Sequence, residues 1–447
     1  MSRKTTKTKS SLETVNNYLG LASDIAFPLC NATFEHSLVY DGFGSLTFGR
    51  SSVASYIDRL TKKLVFAPID QPRFEYDGIL LESSTKNHIV RSNTFSHANW
   101  VKSSVTTTTS TILDPTNTSN SFATTLTSAG VSDTQTISYT RKLTEAGLNP
   151  LTLSIFVHKG ATNPTDSFNL YIKNVTSNIL SRAQFSFDAN GKISPTVSLI
   201  YTLNITRFAD YKVEELANGW FRISLTIESI NTIDTSHDYE FGLSIGTWGS
   251  NTNNKTIAVY GAQVERKWYS TSYIATSGAE EIRSSDVLLI ENDRNLPDLS
   301  FDHTVLLEVK LRGPYRSSGH SIFWTGSLYG SLPDSREKSR VIKWTQEANT
   351  NQGGFIINPS TQIEHILPVM TDFKAKHKIG YTRSANTVHA FANGKIETTG
   401  IDEPYTAGVN TYLHFGEDPI NNIYFDGHIC NFRIYDRAFS KDEIIMV

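Results

Sequence analysis

Apolar residues recur at every second position through much of this chain, and no long stretch keeps a helical period. In LTLSIFVHKG, Leu151, Leu153, Ile155 and Val157 share one face and Thr152, Ser154, Phe156 and His158 the other, the pattern of a half-buried strand. FRISLTIES repeats it with Phe221, Ile223, Leu225 and Ile227, YEFGLSIG with Tyr239, Phe241, Leu243 and Ile245, and HTVLLEVKL with Val305, Leu307, Val309 and Leu311. Turn pairs at Asn190-Gly191, Asn218-Gly219 and Asn393-Gly394 punctuate these runs. Period-two runs with tight turns point to sheets packed face to face. The expected fold is all-β, with two β-sandwich (jelly-roll) domains in tandem preceded by an extended N-terminal arm.

A chain of 447 residues exceeds one hydrophobic core and fits two or three domains. The joint is read in TIAVYGAQVERKWYSTSYIATSGAEEIRSSD, residues 256–286. Strict alternation puts Ile257, Val259 and Gly261 on one face and Ala258, Tyr260, Ala262 and Val264 on the other, a buried strand that closes a domain. From Thr271 to Ser285 the chain carries Thr, Ser, Gly, Ala and charges without period, the composition of an exposed connector. The expected divisions are an N-terminal arm over 1–43, a wrapping β segment over 44–99, a sandwich over 100–277, a linker over 278–297 and a jelly roll over 298–447. Arg3, Lys4, Lys7 and Lys9 make the arm basic and poor in apolar residues, so it is expected to gain order by docking on a neighbouring subunit.

Composition excludes several classes. No apolar run reaches the ~18 residues of a membrane span, so no membrane insertion is expected. The basic N-terminus lacks the apolar core of a secretory signal. A net charge of -3 and a pI near 6.5 sit far below the value of about 9 that marks nucleic-acid-binding domains. Cys30 and Cys430 have no metal-type spacing and are expected as reduced thiols. There is no phosphate loop, no His-Glu-x-x-His and no Gly-x-Ser-x-Gly elbow. A jelly-roll glycosidase would need two carboxylates ~5 Å apart on one strand face, and Glu364 and Glu417-Asp418 read instead as isolated loop charges. The expectation is a protein without catalytic residues, cofactor or metal.

Three pieces, FGRSSVASYID, APIDQPRFEYDGILLES and NHIVRSNTFSHANW, resemble a segment common in bacteriophage tail and other virion proteins. There Phe-x-Arg-Ala-Ser-x-Ala-x-Tyr is followed by Pro-Arg-Phe, Gly-Leu-Leu-Ile-Glu, Thr-Asn-Leu, Ser-x-x-Phe and Trp. This chain departs at Gly49, where Thr is usual, and at Asn87-His88-Ile89. The later pieces SIFVHK, FSFDANG, NGWFRIS, YGAQVE and TSYIAT resemble the carbohydrate-binding-module-like sandwich that follows this segment in phage proteins. The C-terminal YFDGHICNFRIYDRAFSKDEIIMV resembles the closing strand of concanavalin A-like jelly rolls of the laminin-G-like type, with Phe439 where Leu is usual.

These resemblances imply a virion structural protein (tail fibre, tail or capsid-surface component), made in the host cytoplasm and joined to other virion proteins through its N-terminal arm. They also imply a homo-oligomer, with a trimer favoured, and a lectin-like surface for host glycan. A glycan hydrolase or depolymerase on the same fold, and a decoration protein that binds nothing, stay open. Sugars stack an apolar face on aromatic rings and take hydrogen bonds at their edges. The candidate binding residues are therefore Trp324, Tyr329 and Trp344 with Arg316, Asp334 and Arg336 in the second sandwich, and Trp248 in the first. For Trp324 and Trp344 the sequence favours a core position at a strand end over a binding one.

Overall fold

The computed structural model describes residues 30–33, 39–41, 45–130, 134–143, 150–160, 162–194, 196–200, 206–229, 236–250, 253–291, 302–313, 320–326, 340–346, 353–358, 365–366, 375–385, 387–396, 412–418 and 423–446. Between 320 and 366 this description covers the backbone of the strands alone. The chain is all-β with two sandwiches, as the period-two runs predict. No helix among the described residues is long and apolar enough to cross a membrane.

The first sandwich pairs two six-stranded antiparallel sheets. One runs Val105–Leu113, Phe122–Ala129, Asn253–Glu265, Leu151–His158, Trp220–Ser229, Thr206–Glu215. The other runs Ser198–Ile200, Ile179–Ser186, Ser167–Asn174, Asp238–Ile245, Gln135–Lys142, Trp100–Ser103. Their inner faces meet in a core that includes Leu153, Ile155, Phe168, Ile223, Phe241 and Val259.

The second sandwich takes strands from both ends of the chain. Gly427–Tyr435 and His303–Leu311 lie at the centre of one sheet, and Cys30–Thr33 pairs with Gly427–Tyr435 from the far side. Gly78–Leu81 pairs with the other end of that strand, Leu81 opposite Gly427. In the facing sheet, Ser45–Gly49 pairs with Val287–Glu291. Ile79 and Leu81 thereby enter the core with Leu288, Val305, Phe415 and Phe432. Gly78 permits the approach, because a Cβ there would lie 2.4 Å from the Ile429 carbonyl oxygen. The chain leaves this sandwich through Thr85–Asn87, builds the first sandwich, and returns through Glu281–Arg283, which pairs with Thr85–Asn87.

Three expectations are corrected here. Residues 30–33 and 39–41 of the expected arm, and 45–49 and 78–81 of the wrapping segment, are strands of the second sandwich; the basic residues of the arm lie outside the described residues. Thr271–Ser285 is not an exposed connector, since Thr271, Ser272, Tyr273, Thr276 and Arg283 are buried and residues 281–283 and 287–291 of the expected linker are strands. Polar composition misleads there because side chains, not water, satisfy the backbone. The N–H groups of Thr271, Ser272, Ile274 and Thr276 donate to Glu265, Glu82, Gln263 and Ser92.

The third correction concerns Gly261. The pairing register slips between Ser154 and Phe156, which lie opposite Gln263 and Tyr260, so one extra residue enters the strand as a bulge. Gly261 supplies it at φ +59°, and a Cβ there would press on Phe156 and Tyr273. Beyond the bulge the alternation reverses. Ala262 and Val264 join Ile257 and Val259 in the core, whereas Gln263 and Glu265 turn to the outer face.

Full burial of Ile79 and Leu81 is each worth about 1.5–3 kcal/mol. A fragment of residues 285–447 loses both, along with three strand partners, Cys30–Thr33, Ser45–Gly49 and Gly78–Leu81. It is expected to show no cooperative thermal melt by circular dichroism, and fusing residues 30–83 to it through a flexible linker should restore one. A melt of the bare fragment matching the full chain would contradict this topology.

Candidate functional site

The outer face of one sheet of the first sandwich is polar and still largely buried. The register aligns Asp210, Thr226 and Thr152 in one row and Lys212, Ser224 and Ser154 in the next. Thr152, Ser154, Ser224 and Thr226 are all buried, which corrects the half-buried reading of Leu151–His158. Part of this face is covered by the strap 267–276 and, beyond it, by the second sandwich. The rest forms the wall of a cleft.

The cover is held by charge. Glu82 lies 2.8 Å from Arg73 and 3.0 Å from Arg312, with Arg283 at 3.6 Å. Asp286 pairs with Arg73 and, at 3.2 Å, with Arg50. The side chains of Arg50, Arg73, Arg283, Glu82 and Asp286 are all fully buried. Some of the guanidinium protons go to carbonyls, as in Arg50 Nη2 to Pro68 at 2.6 Å and Arg283 Nη2 to Ser83 at 2.6 Å, while Arg73 Nε and Arg283 Nε make no hydrogen bond among the described residues. Next to this network Asp426, just before the closing strand, accepts from Tyr269 Oη at 2.7 Å and Lys267 Nζ at 3.2 Å. Arg312 Nε donates to the Ser270 carbonyl at 2.9 Å. The motif residues Arg50, Arg73 and Glu82 that carry the virion resemblance therefore act in a junction between sandwiches.

Beside this junction opens a cleft of about 690 Å³. One wall is the strand Thr206–Glu215 with Ser224 and Thr226 behind it; the other is Lys310 to Gly313 and His428 of the second sandwich. Glu75, Tyr76 and Asp77 form one border, and Trp268 and Tyr269 line the cleft with them. Gly313 must be glycine, because a Cβ there would sit 2.5 Å from the Tyr269 ring. Tyr76 is 66% exposed, with Lys62 Nζ 5.2 Å and the Arg59 guanidinium 5.8 Å from its ring centre.

The carboxylates of the cleft are committed. Glu75 accepts from His428 Nε2 at 2.9 Å. Burial pushes its carboxyl up, but that bond and the charge of Arg312 outweigh burial and hold it at about 2. Burial likewise raises Glu214, and Lys212, 2.6 Å away, with Arg312 and Arg222, brings it below its ordinary value. Lys310 reaches Asp77 at 2.6 Å. Glu82 lies well below its usual range, because Arg283, Arg312 and Arg73 together overcome the upward push of burial.

Of the residues singled out in sequence, Trp248 is half-buried in the first sandwich, edge-on to Tyr171 at 5.3 Å with Arg182 5.2 Å over its ring, and it does not line the cleft. Trp324 and Trp344 lie on the paired strands His320–Gly326 and Arg340–Gln346, opposite Val341 and His320. Their side chains, and all of Arg316, Tyr329, Asp334 and Arg336, lie outside the described residues. The cleft residues Asp210, Lys212 and Glu214 went unnoticed in the sequence. Their signal was a row of alternating charges at period two.

Residues 285–445 match the family model of the concanavalin A-like lectin/glucanases superfamily (Laminin_G_3). No curated protein matches the chain. Among solved structures, the chain is similar to the CBM40 of a Ruminococcus gnavus IT-sialidase bound to alpha2,3 sialyllactose, with 13% identity over 33% of this chain and 89% of that one and a TM-score of 0.25. It is also similar to domains LG4-5 of the mouse laminin alpha1 chain, with 12% identity, 70% and 91% coverage and a TM-score of 0.23. Trypanosoma rangeli sialidase aligns at 9% identity over 94% of this chain and 97% of that one, with a TM-score of 0.25. At such scores these likenesses carry no functional argument. The family match gives residues 285–445 a lectin-like fold.

Removing one partner of a buried ion pair costs about 3–5 kcal/mol. Glu82→Gln should therefore lower stability by that order, whereas Glu281→Gln at an exposed site should change it by less than about 0.5 kcal/mol. Glu75 and Glu82 have depressed folded-state values, so their stabilisation is complete above the ordinary Glu value of 4.5 and is lost as pH falls below it, for Glu75 toward about 2. The melting temperature should be flat from neutral pH to about 5 and fall below about 4, less steeply in Glu82→Gln. A Glu82→Gln protein that melts as wild type would contradict the network's role.

Proposed function

We propose that this protein binds a glycan in the cleft between its two sandwiches, without cleaving it, as a host-attachment component of a bacteriophage virion. The observation that carries the binding reading is the cleft itself. Its volume of about 690 Å³ falls in the range of small-molecule sites, about 300–1,000 Å³. It combines aromatic rings with hydroxyls and ion-paired carboxylates, the mixture a sugar needs for stacking and hydrogen bonding. The lectin-like fold of residues 285–445 supports the same reading.

Binding without cleavage is favoured by the acids present. A glycosidase needs one carboxyl kept protonated near neutral pH, and Glu75 and Glu214 are both held below their ordinary values. The virion setting is supported by the sequence resemblance in residues 44–100. Attachment to other virion proteins is assigned to the basic N-terminal arm, and a homo-oligomer, with a trimer favoured, belongs to the same reading.

The test uses the full chain on an array of host-surface glycans, with Tyr76→Ala and Lys212→Ala as cleft variants. Wild type should bind and release no reducing ends, and each variant should bind at least about 10-fold more weakly, the cost of a lost contact of about 1.4 kcal/mol, while melting near wild type. Release of reducing ends would overturn the non-enzymatic reading, and unchanged binding by both variants would remove the cleft as the site. Absence of the chain from purified particles by mass spectrometry would overturn the virion assignment.

A further inference from the structure

We propose that the strand Val105–Leu113, an open edge of the first sandwich, pairs antiparallel with the same strand of a second copy of this chain, joining two six-stranded sheets into one. An edge strand presents a row of unpaired N–H and C=O groups, and proteins blunt such rows by shortness, charge or cover. The other edge of this sheet, Thr206–Glu215, carries Asp210, Lys212, Glu214 and Glu215. The facing sheet ends in Ser198–Ile200 and Trp100–Ser103, three and four residues long. In the second sandwich no edge strand among the described residues exceeds the five residues of Ser45–Gly49, where Thr47 is the one exposed side chain described. Val105–Leu113 lacks these protections. It is nine residues long, VTTTTSTIL, without a charge or a proline, and Thr106, Thr108, Thr109 and Thr111 are exposed. Among the described residues, the backbone of Thr106–Thr109 pairs with Phe122–Ala129 and with nothing else.

The choice of a second copy follows from the residues. Pairing of a strand with itself sets each side chain near its own kind, which repels wherever the strand is charged. This strand is neutral throughout. Val105 and Leu126 point into the core, so Thr107, opposite Leu126, faces inward, and Thr106 and Thr108 stand outside, opposite Thr127 and Thr125. The strand therefore already pairs threonine on threonine with its own neighbour, a combination that stabilises sheets. A two-fold axis perpendicular to the sheet at Thr107 repeats that chemistry across the open edge: Thr106 meets Thr108 of the second copy, and Val105 meets its Thr109. Opposed residues then share a face, as antiparallel pairing requires. Such a contact is isologous and closes on itself, so it uses up the edge that would otherwise recruit further strands. It joins chains in pairs and is separate from the three-fold assembly favoured above. The regular run ends where the register shifts between Thr109 and Leu113, so each contact forms few hydrogen bonds and depends on concentration.

The experiment is sedimentation equilibrium of the full chain over a dilution series reaching about 100 μM, with the double variants Thr106→Lys/Thr108→Lys and Thr106→Glu/Thr108→Glu. Both positions are exposed, so each variant should melt near wild type. Wild type should reach about twice the mass of either variant, whether the variant sediments as one chain or as three. An equimolar mixture of the two variants should return to the wild-type mass, because unlike charges then meet across the axis. In hydrogen exchange, the amides of Thr106–Thr109 should be slower in concentrated than in dilute wild type. Equal masses for wild type and variants overturn the pairing, as does a mixture that stays at the variant mass. Protection of these amides that is independent of concentration overturns it too.

Discussion

Two buried carboxylates, Glu82 and Asp286, hold Arg50, Arg73, Arg283 and Arg312 where no water reaches most of them. Taking such charges out of water costs several kcal/mol each, and attraction repays that only when geometry and hydrogen bonding are nearly complete. An apolar seam of equal volume could match it in stability. What the ion pairs add is position. They join residues 50–83, 272–286 and 312, which are distant in sequence, at distances near 3 Å, and so fix how the strap 267–276 lies across the polar face of the first sandwich. The cleft exists because that cover stops short of Asp210, Lys212 and Glu214.

Much of the fold could be read from local pattern, because a strand's two faces are written in the spacing of its apolar residues. The closing motif was legible for the same reason. Ser440 and Glu443 form a capping box, Ser440 N–H donating to Glu443 at 2.8 Å, and Arg437 holds Glu443 while Phe439 packs on Tyr435 with ring centres 4.5 Å apart. The joint was misread because its signals are not local. Thr271 and Ser272 have the composition of a loop in water, yet they meet Glu265 and Glu82 in the interior, and no periodicity records a partner that lies 190 residues away in sequence. Gly261 did carry a local signal, since a glycine inside a strand run often marks a bulge.

The candidate site was less legible than the fold. Trp and Tyr in loops drew attention because sugars stack on them, but Trp248 is engaged by Tyr171 and Arg182. The cleft is built at a boundary, and its walls come from the strand Thr206–Glu215, the stretch around Glu75, the end of His303–Leu311 and His428. Each of these reads alone as a solvated charge cluster. Only the relative placement of the two sandwiches gathers these paired charges and hydroxyls around one cleft.

The junction makes the two sandwiches one thermodynamic unit, and differential scanning calorimetry of the full chain at neutral pH measures that property. A single transition is expected, with calorimetric and van 't Hoff enthalpies in agreement. Two separated transitions, each with the enthalpy of one sandwich, would show that the buried network does not couple them and that the cleft has no fixed walls.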